Sequence, residues 1–240
     1  MSTIKVDTIT DGAGTGAPTF SQGATVTGTL AATTLTGTLA SSSLTGALPA
    51  IDGSALTGLS AGALVFISSS DLSSDATADF TGFNSALYDS YEFVFANVIP
   101  ATDNVYLYAR TSSDGGSTYD SGDDYQYSAV LNSNSFTSAV ADQSGTEVTN
   151  QMKFLAVGVN VGSNANEDGI SGVINVLGPH LAKRTKLVHS LTYDGANGWL
   201  VYLTGGASRK SSADVDAIRF FFNSGNIESG TITMYGRVNS

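Results

Sequence analysis

The chain is 240 residues long, has a formal net charge of −11 from 10 Lys and Arg against 21 Asp and Glu, and contains no cysteine. That balance argues against nucleic acid, whose phosphates need clustered cations, and the lack of cysteine removes disulfides, thiol catalysis and zinc–thiolate sites. Charged residues make up only 13% of the chain, about half the usual share, which disfavours long surface helices and leaves an all-β fold as the expectation.

The opening, "MSTIKVDTIT", has neither a basic start nor an apolar run, and the chain holds no long apolar window. No secretory leader or membrane span is expected, and synthesis reads as cytosolic. Composition then divides the chain near Gly62. Before it there is no Trp or Tyr and one Phe, Phe20, whereas after it come all 10 Tyr and the only Trp, Trp199. Aromatic side chains supply large buried area, so residues 62–240 can build a core and residues 1–61 alone cannot.

Residues 26–61 carry a repeat. Val26-Thr27-Gly28-Thr29-Leu30, Leu35-Thr36-Gly37-Thr38-Leu39 and Leu44-Thr45-Gly46-Ala47-Leu48 follow one another at nine-residue spacing, and Leu56-Thr57-Gly58-Leu59 echoes them after "PAIDGS". Recurrent Thr-Gly lowers helix propensity. In an extended chain the even offset within each unit puts its two aliphatic residues on one face. One narrow apolar row cannot be covered within its own chain, but parallel copies can cover it. The reading is an intertwined shaft with Val26, Leu30, Leu35, Leu39, Leu44, Leu48 and Leu56 as contacts between copies. The composition also permits a flexible Ser/Thr/Gly linker. Fully extended, this segment spans at most about 115 Å.

From residue 62 onward, strand-like runs alternate with Gly, Asn, Asp and Ser clusters. The runs are 64–69, 91–98, 104–112, 125–131, 153–161, 169–178, 184–193, 199–204, 217–224 and 230–238. They predict an antiparallel β-sandwich of the jelly-roll kind. "DGANG" (194–198) and "SGN" (224–226) read as hairpin connections. "DLSSDATADFTGF" (71–83) reads as a loop or one helical turn.

Few residues signal chemistry. "SSDGGSTY" (112–119) fits the Asp-box pattern, in which the Asp caps a tight turn, so Asp114 and Gly116 read as hairpin-turn residues. "DSGDD" (120–124) nearby leaves a Ca²⁺ site open, although the spacing is not that of an EF-hand and a solvated loop is the simpler account. His180 and His189 lack metal-ligand spacing, so no metal or cofactor is assigned. "GPHLAKRTK" (178–186) is the one basic cluster, a solvated loop or a salt-bridge site between subunits. No nucleophile elbow, phosphate loop or dinucleotide fingerprint occurs, and no catalytic residue is assigned.

"MSTIKVDTITDGAGTGAPTFSQGATVTGTL" resembles the N-terminus shared by fibre and other structural proteins of marine tailed bacteriophages. "LPAIDGSALTGL" (48–59) is similar to a linker before C-terminal fibre domains, and 110–122 and 218–236 resemble a β-sandwich that ends such proteins. The resemblance implies a non-enzymatic homotrimer located in the virion. Residues 1–25 would dock on other tail or capsid proteins, with Ile4, Val6 and Ile9 as contacts. Residues 26–61 would form the shaft, and 62–240 a head that binds a host-surface glycan or protein. The other readings are a capsid decoration or head-fibre protein without a receptor role, and more remotely a glycan depolymerase.

Overall fold

The computed structural model describes residues 64–135, 139–143, 149–154 and 159–238. The expected shaft contacts Val26, Leu30, Leu35, Leu39, Leu44, Leu48 and Leu56, and the expected docking residues Ile4, Val6 and Ile9, lie outside the described residues.

The described residues are all-β, without a helix. In chain order the strands are β1 (Leu64–Asp75), β2 (Ala78–Phe80), β3 (Tyr88–Pro100), β4 (Leu107–Ser112), β5 (Tyr125–Ser133) and β6 (Val140–Gln143). They continue with β7 (Met152–Lys153), β8 (Ile170–Leu177), β9 (Lys186–Asp194), β10 (Leu200–Arg209), β11 (Ala217–Phe222) and β12 (Ile227–Val238). All pairings are antiparallel. A large sheet has the order β1-β12-β3-β8-β9-β10-β5-β6, and a small one the order β2-β11-β4-β7.

Alternation along each strand explains why the two sheets share one core. On β9, Leu187, His189, Leu191 and Tyr193 are buried while Lys186, Val188, Ser190 and Thr192 are exposed. The same period buries Ile232 and Met234 on β12 and leaves Thr231, Thr233 and Tyr235 half-exposed. At the centre, Phe93 and Phe95 of the large sheet meet Phe220 of the small sheet edge-on, with ring centroids 5.3 and 5.0 Å apart. Phe80 from β2 completes the cluster at 5.2 Å from Phe93. Edge-to-face rings add to the burial itself, because the positive ring edge meets the negative face.

Several expectations need correction. Residues 71–83 are neither loop nor helical turn over most of their length. Asp71 to Asp75 extend β1, paired with Thr231 to Ile227 of β12, and Ala78 and Phe80 of β2 are buried. The polar Ser/Asp composition there hides a strand because one face is solvated and the ladder partner is remote in sequence. The 224–226 turn is no hairpin: β11 pairs with β2 and β4, and β12 with β1 and β3, so this turn crosses between sheets. The 104–112 run starts its ladder only at Leu107, after an isolated bridge from Val105 to Val161. Of the 153–161 run, only Lys153 belongs to a strand among the described residues. The 194–198 turn does join β9 to β10 as a hairpin, closed by the Gly195 amide donating to the Trp199 carbonyl at 2.9 Å.

Candidate ligand-binding face

The outer face of the small sheet gathers aromatic rings and cations. Leu107, Ala109 and Thr111 of β4 point into the core, so Tyr108 and Arg110 point out, and Tyr106 just before the strand shares their parity. On β11 the buried Ile218, Phe220 and Phe222 leave Arg219 and Phe221 outside. The register sets Phe221 opposite Tyr108, Tyr108 opposite Lys153 of β7, and Arg219 between Asp79 and Arg110.

These side chains touch. The Tyr106 and Tyr108 rings lie nearly parallel, with centroids 6.3 Å apart, and Phe221 meets Tyr108 edge-on at 5.7 Å. The Arg110 guanidinium sits 5.2 Å from the Phe221 ring centre, and the Lys153 ammonium 4.2 Å from that of Tyr106. Ring quadrupoles attract such cations, so each cation is held over its ring. Arg110 also donates to the Asn150 carbonyl and to Gln151 Oε1, both at 3.0 Å. Arg219 is committed elsewhere: it forks onto Asp79 at 2.7 and 2.5 Å and covers the Tyr119 ring at 4.1 Å. Burial, reinforced by Asp79, pushes the Tyr119 hydroxyl up to about 12. Burial and the neighbouring Tyr106 also raise Tyr108, against a hydrogen bond with Gln151.

Beside these rings a recess of about 210 Å³ is lined by Tyr108, Tyr127, Thr149, Asn150, Gln151 and Lys153. It offers flat apolar ring faces, amide and hydroxyl hydrogen-bonding groups and one ammonium. That set suits a polyhydroxylated ligand with an apolar underside.

The residues singled out from sequence lie elsewhere. Asp114 Oδ1 accepts from Ser112 Oγ at 2.7 Å and from the Thr118 amide at 2.8 Å, while Oδ2 accepts from Thr118 Oγ1 at 2.6 Å. These bonds, first among them those from Thr118, hold the carboxyl down at about 2. Gly116 has φ +86°, and a Cβ there would stand 2.8 Å from Thr81 Cγ2. β4 and β5 belong to different sheets, so the expected hairpin turn is an arch between sheets. The Asp120 amide closes the arch on the Thr111 carbonyl at 2.9 Å. Asp120 and Asp124, the cation candidates, face the buried Arg209 at 3.3 and 3.5 Å. No cluster of three or more metal-ligating side chains occurs among the described residues.

His180 stands in a chain that sequence spacing could not show. Tyr91 Oη lies 3.3 Å from its Nε2, and Asp214 Oδ1 lies 3.0 Å from its Nδ1. Tyr91 is 1% exposed, stacked under Phe83 at 4.1 Å, and accepts from the Asn84 amide. This Tyr–His–Asp chain ties the 178–186 loop to β3 and offers no accessible nucleophile. His189 is a core residue 2% exposed. The aromatic face itself left a signal: Tyr106, Tyr108 and Arg110 alternate with apolar residues, so one strand face was bound to carry all three. No protein-family profile, curated protein or solved structure matches this chain.

Proposed function

We propose that the chain is a trimeric virion fibre of a tailed bacteriophage, whose head attaches to the host surface through the outer face of the small sheet. The observation that carries the attachment role is the Tyr106–Tyr108–Phe221 array with Arg110 and Lys153 set over its rings. The nine-residue apolar register and the resemblance of the N-terminal residues support the fibre. The strand order supports a jelly roll: without β5, β6, β9 and β10 it reduces to β1-β12-β3-β8 facing β2-β11-β4-β7, two interlocked Greek keys. The protein acts by binding and needs no cofactor. Each head binds weakly, and three heads on one fibre multiply that affinity by effective concentration.

The experiment is binding of the full chain to immobilised envelope polysaccharides of bacteria, read by surface plasmon resonance. Tyr108→Ala and Phe221→Ala should each weaken binding at least about fivefold, since loss of one stacking ring costs roughly 1–3 kcal/mol by analogy with base–aromatic stacking. Undiminished binding in both variants overturns the assignment of this face. Immunogold on virions separates tail from capsid. Label on the capsid lattice favours a decoration or head-fibre role.

A further inference from the structure

The outer face of the large sheet is divided in its chemistry. Its β1-β12-β3 half carries Asp71, Glu92 and Arg237. On the β8-β9-β10-β5 half, the outward positions between the ends of β9 are Ser, Thr, Val, Asn, Gln, Gly, Leu and Tyr, and the charged side chains among the described residues are Lys186 and Asp194, at opposite ends of that strand. Val130, Leu177, Val188 and Tyr202 stand there 40–48% exposed. A shallow trough of about 460 Å³ runs over the bare backbone of Gly206, between Val188 and Ser128. Leu177 and Lys186 link it to a second hollow of about 430 Å³ under Leu181, Lys183 and Arg184.

We infer that this half-sheet is the surface on which a second copy of the head docks. The inference rests on the trimeric reading above and supplies its interface. A charge-free centre is what distinguishes the core of a protein interface from the remaining surface, and contiguous exposed apolar groups mark such sites. The rim identifies the occupant. Lys183, Arg184 and Lys186 form no ion pair among the described residues. From Leu64 on, the chain holds nine of its 10 Lys and Arg but all of its 21 Asp and Glu except Asp7, Asp11 and Asp52. Most other surface of a second copy is therefore acidic, the complement that these three cations lack among the described residues of their own chain. A basic rim against an acidic patch elsewhere on the neighbour is a heterologous contact, and heterologous contacts form a ring where the rotation between copies closes. Three heads closing such a ring match three chains sharing one shaft.

The absence of native cysteine makes the test direct. Ser128→Cys places one thiol beside the trough, and Ser113→Cys places one on the exposed arch after β4. Each full-length variant is treated with a maleimide-linked polyethylene glycol, and its mass is measured by light scattering. The expected result is a trimer in which the thiol at 128 reacts at least tenfold more slowly than the one at 113. Adding Val188→Asp to the Ser128→Cys chain should restore the fast rate. Equal rates at the two positions in a trimer overturn this interface while leaving the fibre reading intact. A monomer overturns the trimeric reading, and slow reaction at 128 in that monomer shows the chain covering its own face, which overturns docking of a second copy.

Discussion

His189 shows how far one side chain can depart from what its type suggests. It alternates inward with Leu187, Leu191 and Tyr193, is 2% exposed, and neither ring nitrogen has a hydrogen-bond partner. The Phe154 ring meets it edge-on at 5.3 Å. Burial disfavours the charged ring and lowers its pKa to about 4 from 6.5. Above pH 6.5 the ring is neutral in both folded and unfolded chains and contributes no pH dependence. Between 6.5 and 4 the unfolded chain takes up a proton that the folded chain refuses, so stability falls as the pH falls, by on the order of 3 kcal/mol in total. Below pH 4 both states are charged and the loss is complete. His189→Leu should abolish this component. Denaturant melts from pH 7.5 to 4 should show the wild type losing that much more stability than the variant. A constant difference across the series would mean that the ring is solvated in the folded protein.

At the scale of elements, the arch from β4 to β5 was half legible. The Ser-x-Asp-x-Gly-x-Thr spacing announced a carboxylate-capped turn, because Asp114 reaches its own chain at Thr118 whatever lies beyond. Which strands the turn joins was not announced, since sheet membership is set by partners far along the chain: β4 pairs with β11, and β5 with β10. The same non-local pairing hid β2 and the far end of β1, and turned the expected 224–226 hairpin into a crossover. Long strands with clean alternation, such as β9 and β12, were legible because one buried face forces a period of two. The aromatic face lay in that alternation too, but only the register of β4, β7 and β11 brings Tyr108, Lys153 and Phe221 together. The arch carries a prediction of its own. The folded Asp114 carboxyl titrates at about 2, below its ordinary 3.8. Its stabilisation is therefore complete above about pH 4 and is lost as the pH falls through 2. Asp114→Ala should lower the melting temperature at pH 7, and the gap from wild type should close between pH 4 and 2. A gap that persists at pH 2 would assign the effect to the turn backbone instead of the carboxylate.

The whole molecule joins a head that can bury its own core to a segment that cannot. Val26, Leu30, Leu35, Leu39, Leu44 and Leu48 recur at nine-residue spacing in a stretch without aromatic residues, and in the proposed fibre that apolar row would be covered by the same row in other copies. Three copies placed in parallel, as the proposal has them, would bring each Leu to a shared axis three times over. A charge introduced there is desolvated and opposed by two others, a combination that costs several kcal/mol per shaft. Leu35→Asp and Leu39→Asp should therefore shift the light-scattering mass from trimer toward monomer, most at low protein concentration. Thr36→Asp, one position along and on the opposite face, should leave the mass unchanged. The order of effects matters more than their size: a shaft held by the apolar row loses trimers at 35 and 39 but not at 36. An unchanged trimer mass at all three positions would show that these Leu face solvent, and the proposed surface around Val188 would then have to hold the copies together alone.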